Sequence, residues 1–248
     1  MYYKKINQNF FKKCTSSVAY VLGYFVADGC IVVKKDRKNN PYVFNITSAN
    51  KEHLEKIRQV MNSGHAISAK SRGSSTRKSY YQLQISNQVI CKNLMKLGIL
   101  PRKTYNLDFI KIPNNYFSDF VRGFFDGDGS VYIYTVNGTP QIKASFSSAS
   151  YNFINELNKK ICKNLNIPTK TIHKENQEGK LTKYVINFYI DDCEKLARFM
   201  YKNNPSLYLL RKYKIFKKWD SISRRKYRKT NYPSKIGWQL NQKVFISK

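Results

Sequence analysis

The chain has 248 residues, 42% of them hydrophobic, which is enough apolar material for one large domain or for two domains of roughly 100 residues each. It carries 45 Lys and Arg residues against 15 Asp and Glu residues, a formal charge of +30, and a compact chain so charged needs a polyanionic partner to offset its self-repulsion. The sequence lacks a run of 18 apolar residues, and its basic residues are spread over the chain rather than confined to one amphipathic helix. We therefore expect a nucleic-acid partner and no membrane partner.

The five cysteines are odd in number, widely spaced and without a Cys-x-x-Cys pair, so neither a disulfide framework nor a zinc site is expected. The N-terminal residues lack the apolar segment of a secretory signal. These features predict a soluble intracellular protein that is not secreted, located in a bacterial or phage-host cytoplasm or in an organelle.

The apolar periodicity predicts a first half of the order αββαββα. The elements are a helix over about 15–27, strands over 31–35 and 41–47, a helix over 50–62, strands over 65–72 and 79–86, and a helix over 87–97. The turns between paired strands fall on residues 36–40 and on the Gly73-Ser74-Ser75 segment. Pro101 and Pro113 flank a linker to the rest of the chain.

An internal repeat extends this pattern to the second half of the chain. Residues 21–29 read VLGYFVADG and residues 121–129 read VRGFFDGDG, an offset of 100 that the downstream apolar positions approximately maintain. The sequence thus predicts an α+β fold of two pseudo-symmetric αββαββα halves, over 1–110 and 111–229, followed by a tail over 230–248. The last part of the second half, residues 211–229, is predicted to form an amphipathic helix with ten Lys or Arg residues in 19.

Small residues predict that the two repeated helices pack against each other. Gly23 and Ala27 lie four residues apart on one helix face, as do Gly123 and Gly127 on the other, and such pairs let backbones approach closely. We expect these four residues to form the helix interface, which lies on the pseudo-two-fold axis of the repeat.

Each of these helices ends in Asp-Gly. Gly29 and Gly129 suit the left-handed residue that often terminates a helix, which places Asp28 and Asp128 in the last turn. A carboxylate there opposes the helix dipole at a cost of roughly 0.3 to 1 kcal/mol, and a divalent cation shared by both carboxylates would offset that cost. The alternative is that Asp-Gly is only a helix stop. An EF-hand does not fit, because Val131 stands where its loop requires glycine.

The two motifs resemble the paired signature of the single-chain LAGLIDADG homing endonucleases, a likeness that covers residues from about 15 to 222. The resemblance implies that the motif helices form the interface and that saddle-shaped antiparallel sheets lie in the DNA major groove. It also implies that Asp28 and Asp128, with the backbone of Gly29 and Gly129, bind Mg²⁺. By the same resemblance Mn²⁺ is expected to substitute, and Ca²⁺ to support binding without cleavage. The first motif departs from the second at Val26, where the second has Asp126.

The resemblance also suggests auxiliary catalytic residues. Lys103 and Lys212 resemble the basic residue near the family's active site, which could polarise a metal-bound water or stabilise transition-state charge. A plain phosphate contact is the alternative role. Asn45 and Ser145 resemble a polar position that orients solvent, although Ser145 departs from the usual amide.

The predicted strands alternate apolar and polar residues, so each sheet buries one face and offers the other to DNA. Arg and Lys suit guanine edges, Gln and Asn suit adenine, and Tyr can contact the thymine methyl. The candidate DNA-binding residues are Lys34, Tyr42, Lys70, Arg72, Lys78, Gln82, Tyr132, Tyr134, Gln141, Lys143, Lys170, Lys174 and Asn187. A register slip of one residue would invert each assignment. The basic helix over 211–229 is expected to contact flanking phosphates, with a solvated helix face as the alternative.

These features predict a monomer that acts as a pseudo-dimer and cleaves both strands of a long asymmetric DNA site by metal-dependent phosphodiester hydrolysis. The resemblance further implies a gene carried by a mobile intron. The alternatives are a maturase that binds intron RNA and a DNA-binding protein that does not cleave. Retention of both Asp28 and Asp128 favours the enzyme, because a binder has no chemical need for either.

Overall fold

The computed structural model describes residues 5–34, 41–70, 79–101, 107–176, 178–179 and 182–229, with residues 224–229 described by their backbone alone. It contains two halves of the predicted order αββαββα, which confirms the α+β class. The elements of the first half are α1 Ser16–Asp28, β1 Gly29–Val33, β2 Tyr42–Ser48, α2 Lys51–Val60, β3 Ile67–Lys70, β4 Tyr80–Ser86 and α3 Gln88–Lys96. Those of the second half are α4 Phe117–Asp128, β5 Ser130–Val136, β6 Thr139–Ser148, α5 Tyr151–Leu165, β7 Ile172–Glu175, β8 Lys183–Tyr189, α6 Ile190–Met200 and the added α7 Leu210–Lys229.

Each half contains one four-stranded antiparallel sheet with the same strand order, β1-β2-β4-β3 in the first and β5-β6-β8-β7 in the second. Phe44 pairs with Ile31 and Ile85, and these three residues are buried in the hydrophobic core. Since paired residues point to the same side of a sheet, they define a core face, and the opposite side is the open face. The register of β5, β6 and β8 defines the same two faces in the second half.

Helices α1 and α4 are in backbone contact at their glycines. A Cβ atom added to Gly23 would lie 2.1 Å from the carbonyl oxygen of Phe120, and one added to Gly123 would lie 2.0 Å from that of Tyr20. No side chain fits at either position without separating the helices. A Cβ added to Gly127 would lie 2.3 Å from that of Ala27, so the two helices run in the same direction and end together.

The predicted left-handed conformation of the glycines that follow these helices is wrong. Gly29 has φ −97° and Gly129 has φ −82°, both in the extended region. The residues are glycines for a steric reason, because an added Cβ would lie 2.3 Å from the ring of Phe25 in the first case and of Phe125 in the second. Each glycine therefore lets an aromatic core residue pack beneath the end of its helix.

Helix α7 packs on the second half through its apolar face, which confirms the amphipathic pattern predicted from the sequence. Phe216 and Trp219 are buried, and the indole N–H of Trp219 donates to Glu194 on α6 at 3.2 Å. Arg211, Lys214 and Lys218 are exposed on the other side. None of the helices in the described part of the chain is both long enough and apolar enough to cross a bilayer.

Candidate active site

Asp28 and Asp128 lie at the same end of the α1–α4 pair, and both side chains are exposed. A Cβ added to Gly127, one residue before Asp128, would lie 3.5 Å from a carboxylate oxygen of Asp28. The close helix contact therefore holds the two aspartates, here called the acid pair, on either side of the pseudo-two-fold axis. Burial and the neighbouring charge of Asp28 raise the pKa of Tyr24, whose hydroxyl donates to Ser48 at 3.0 Å.

The donor chemistry of the acid pair fits magnesium. Mg²⁺ is usually held by one or two carboxylates together with substrate phosphates and water, whereas zinc and calcium sites recruit more protein ligands. Within the described residues there is no cluster of three or more His, Cys, Asp or Glu side chains that could hold a metal. Two exposed carboxylates at one edge are thus a suitable set for a hard cation shared with a phosphate.

Lys212, at the start of α7, caps the end of α4. The residue is 2% exposed, and its ammonium donates to the carbonyl oxygens of Phe125 at 2.5 Å, Asp126 at 2.9 Å and Gly129 at 2.6 Å. These contacts place a positive charge at the negative end of the helix dipole, where Asp128 is unfavourable. In the second half, part of the charge compensation that the sequence pattern attributes to a metal ion is therefore supplied by a lysine.

The surroundings of Lys212 change its basicity. Burial lowers the pKa of this lysine to about 8, although the charges of Asp126, Asp28 and Asp128 act in the opposite direction. Lys212 is thus within electrostatic reach of both members of the acid pair. Its partner in the first half, Lys103, lies outside the described residues.

The two residues expected to orient solvent lie on the open face beside the acid pair. Asn45 pairs with Cys30, the second residue after Asp28, and its amide nitrogen is 3.5 Å from the Cys30 sulfur. Its amide oxygen is buried and has no hydrogen-bond partner. At the equivalent place in the second half, the hydroxyls of Ser145 and Ser130 are 2.7 Å apart. The amide and the hydroxyl pair make the two sides of the site chemically different.

A buried polar network, which the sequence did not predict, joins the two halves beneath the acid pair. The Asp126 carboxylate accepts from the Tyr20 hydroxyl at 2.7 Å and from the Leu209 backbone N–H at 2.8 Å. The Tyr20 hydroxyl is also 3.0 Å from Nε2 of His53. Burial raises the pKa of Asp126 and lowers that of His53 to about 4.

Arg122, also on α4, makes a second set of buried polar contacts. Its guanidinium donates to the carbonyls of Leu207 at 2.8 Å and Met200 at 2.6 Å, pairs with Asp119 at 2.6 Å and lies 5.2 Å from the centre of the Tyr20 ring. These contacts anchor the end of α6 and the segment between α6 and α7 to α4. The donors of such a buried cation need partners, and each of the three guanidinium nitrogens of Arg122 has one.

One signal could have revealed this network from the sequence. At the repeat offset of 100, each of its side chains is aligned with an apolar residue in the other half. The aligned pairs are Tyr20 with Phe120, Leu22 with Arg122, Val26 with Asp126, and His53 with Phe153. The departures from the repeat thus identify the residues at which the two halves differ in the interior.

The register assigns the candidate DNA-binding residues to faces. Those on the open face are Lys70, Gln82, Tyr132, Tyr134, Gln141, Lys143 and Asn187, with Lys34 directly after β1. The same face also presents residues that the sequence did not single out: Thr47, Gln84, Ser147 and Tyr189. Arg72 and Lys78 lie outside the described residues.

Three candidates do not lie on the open face, so their predicted orientation is wrong. Tyr42 pairs with Val33 on the core side and packs against the core. Lys174 shares the side of Tyr184, also toward the helices. Lys170 precedes β7, and its ammonium pairs with Asp192 on α6 at 2.5 Å. The physical reason is strand register, which the alternation pattern alone does not determine at strand ends.

A cleft of about 720 Å³ opens beside Asp28. Its walls come from both halves: the Ser48 to Glu52 turn and Tyr80 on one side, and Gly127 and Arg211 on the other. The cleft therefore connects one member of the acid pair to the outer surface.

Comparisons with known proteins agree with this architecture. A family model described as a LAGLIDADG-like domain matches the chain twice, over residues 16–98 and 117–200. The fold is similar to that of the LAGLIDADG homing endonuclease I-GzeII in complex with its DNA target, with 14% identity, a TM-score of 0.54, and coverage of 90% of this chain and 94% of that one. It is also similar to the LAGLIDADG meganuclease I-AabMI bound to uncleaved DNA, with 14% identity, a TM-score of 0.53, and coverage of 88% and 93%. No curated protein matches the chain.

Proposed function

Because the chain belongs to the LAGLIDADG-like domain family, we propose that it is a site-specific homing endonuclease that makes a double-strand break in a long asymmetric DNA target. The observation that carries the proposal is the acid pair, which lies at the joined ends of α1 and α4 between two open sheet faces. Both carboxylates come from one chain, so a monomer suffices. The different side chains on the two open faces support an asymmetric target.

The acid pair and the backbone of Gly29 and Gly129 would hold Mg²⁺, with Mn²⁺ as a substitute and Ca²⁺ supporting binding alone. When bound, the metal supplies Lewis-acid stabilisation of the phosphate and a more acidic water. The Gly129 carbonyl already accepts from Lys212, so the carboxylates are the principal ligands that we propose. The residues of the chain itself orient the site: Lys212 fixes the end of α4, and Asn45 pairs with Cys30, the second residue after Asp28.

The charge of the chain supplies the affinity for DNA. Lysine and arginine contacts to phosphates are independent of sequence and release counterions, whereas side chains on the open faces can read base edges. Gln82 and Gln84 on β4 suit adenine, and Tyr132 and Tyr134 on β5 suit thymine methyl groups. The exposed side of α7 would contact phosphates beyond the sheets.

The test compares the wild type with Asp28→Asn and Asp128→Asn. A cognate site is first selected by incubating the wild-type protein with Mg²⁺ and a plasmid library of random inserts and sequencing the cut ends. Each variant should then bind that site in Ca²⁺ with wild-type affinity, or more tightly because a charge that repels phosphates is gone, and should fail to linearise the plasmid in Mg²⁺.

The matched control is Asp108→Asn, which removes one exposed negative charge from the segment between the halves. It should cut normally. If both acid-pair variants cut both strands at the wild-type rate, the proposed active site is wrong. If the wild type binds DNA or intron RNA but cuts neither strand, the protein is a binder or a maturase on this scaffold.

A further inference from the structure

Helices α4 and α7 cap each other. Asp126, in the last turn of α4, accepts from the N–H of Leu209, the residue directly before α7. Lys212, in the first turn of α7, donates to three carbonyls at the end of α4. A carboxylate at a helix N-terminus and a cation at a helix C-terminus are both favoured by the helix dipoles. We call Asp126 and Lys212 the reciprocal caps.

The two caps depend on one another through the first turn of α7. The carbonyl of Leu209 accepts the N–H groups of Lys212 and Tyr213 at 3.0 and 3.2 Å, so Leu209 is the N-cap residue of α7. By holding the N–H of Leu209, Asp126 fixes the position from which the Lys212 side chain extends. Lys212 in turn reaches the carbonyl of Gly129, the residue directly after Asp128.

The first half has a different residue at the position of Asp126. There the aligned residue is Val26, which is buried and has no side-chain acceptor for a helix N-terminus. The Tyr20 hydroxyl, which also donates to Asp126, has no counterpart in the second half, where the aligned residue is Phe120. The carboxylate cap therefore supports the α4 end of the acid pair and not the α1 end.

We propose that Asp126 is a positioning residue for the Asp128 side of the site, so that its loss slows cleavage of one DNA strand much more than the other. The proposal rests on the proposed endonuclease function. Asp126 is not a metal ligand in this scheme: the residue is 2% exposed, and its Oδ2 accepts from Tyr20 and Leu209. Its Oδ1 is buried and has no hydrogen-bond partner among the described residues. It acts through the placement of α7, Lys212 and the backbone around Gly129.

The test uses Asp126→Val, which installs the residue found at Val26, and Asp126→Asn, which keeps an oxygen that can accept from Leu209. Single-turnover cleavage of a duplex labelled on each strand is measured in Mg²⁺, DNA affinity in Ca²⁺, and the free energy of unfolding by urea. A small displacement of a catalytic group can lower a rate by 10- to roughly 100-fold. We therefore expect Asp126→Val to change the ratio of the two strand rates by about tenfold or more, with unchanged affinity, and Asp126→Asn to restore much of the ratio.

Tyr20→Phe is the matched control, because it removes the other hydrogen bond to Asp126 and leaves the one to Leu209. It should keep the wild-type ratio of strand rates even if it lowers stability. Equal slowing of both strands in Asp126→Val, or no slowing, would overturn the proposal, since a purely structural residue would act on both sides through the fraction of folded protein. If Asp126→Val does not fold, Asp126→Ala, which also removes the acceptor for Leu209, takes its place, and an unchanged ratio of strand rates in Asp126→Ala overturns the proposal.

Hydrogen exchange separates this inference from the proposed function. The amides of Leu209 and Gly129 should exchange faster in Asp126→Val than in the wild type, while the amide of Gly29 should not change. This readout needs no cleavage. A wild-type protein that cuts no DNA would refute the endonuclease proposal alone, and unchanged exchange at Leu209 and Gly129 would refute the positioning role alone.

Discussion

Gly123→Ala tests whether backbone contact between α1 and α4 holds the two halves together. The added methyl group would lie 2.0 Å from the Tyr20 carbonyl oxygen and 3.0 Å from the Tyr24 nitrogen. Contact distances for carbon are about 3.5 Å, so the helices must separate or bend by about 1.5 Å. Neither obstacle is the flexible end of a side chain, and α1 cannot yield locally.

The sign of the stability change is informative. Alanine in place of glycine within a helix that has room would stabilise the protein by roughly 1 kcal/mol. Overpacking typically costs about 1 to 3 kcal/mol, so after the helix gain is subtracted we expect a net loss of up to about 2 kcal/mol and a Tm lower by up to about 8 °C for a chain of this size. Because the helices end at the acid pair, cleavage should fall as well.

The assay is urea and thermal unfolding of Gly123→Ala beside Gly64→Ala. At Gly64 the added Cβ would lie 3.6 Å from the Lys5 nitrogen, an ordinary contact, so its stability should be unchanged or slightly raised. A Gly123→Ala protein as stable as the wild type, or more stable, would show that α1 and α4 do not make this contact in solution.

Four further predictions concern charge, pH, capping and base reading. The logarithm of DNA affinity should fall linearly with the logarithm of salt concentration with a slope of several units, about 0.9 per neutralised phosphate, and a slope near zero would exclude DNA as the partner. His53 has a pKa of about 6.5 in the unfolded chain and of about 4 in the folded chain, so the unfolded chain binds the proton first as the pH falls. Acidification from pH 6.5 to 4 should therefore lower the free energy of unfolding by up to about 3 kcal/mol through this residue. His53→Gln should abolish that loss when unfolding is measured as a function of pH. Lys212→Met leaves the carbonyls at the end of α4 without their donor and should lower the free energy of unfolding by about 1 to 3 kcal/mol, whereas Lys214→Met on the exposed side should have little effect. Gln84→Ala should relax base preference at one or two target positions by about 1 to 3 kcal/mol per base pair in a binding-site selection, whereas Tyr42→Phe on the core face should leave the preference unchanged.

The element order and the small-residue pattern of the interface helices are local features of the sequence, which is why the sequence predicts the fold and the glycine contacts. Gly23 and Gly123 stand in an apolar helical pattern that occurs twice, and periodicity reports such patterns directly. The sequence did not predict the faces of Tyr42 and Lys170 correctly, because Tyr42 is the first residue of β2 and Lys170 precedes β7. There the pairing of neighbouring strands, rather than the alternation within one strand, decides which way a side chain points.

The hydrogen-bond partners of Asp126 could not be predicted, for a second reason. The alignment of Val26 with Asp126 shows that a carboxylate replaces a valine, but not which donor meets it. The donor is the backbone N–H of Leu209, 83 residues away along the chain. A backbone N–H has no sequence signature, so only the folded chain identifies the partner. The same holds for the three carbonyls that bind Lys212.

Because of the hydrogen bond between Tyr20 and Asp126, neither half can be exchanged for the half of another protein without regard to the other. Tyr20 belongs to the first half and Asp126 to the second, and they meet inside the interface. If the second half is fused to a foreign first half that has phenylalanine at the place of Tyr20, a buried carboxylate loses one of its two donors, which is strongly unfavourable. If the first half is paired with a foreign second half that has valine at the place of Asp126, a buried hydroxyl loses its acceptor. Chimaeras built from this protein should therefore exchange Tyr20 and Asp126 together, and a chimaera that changes only one of them should be the less stable of the two designs.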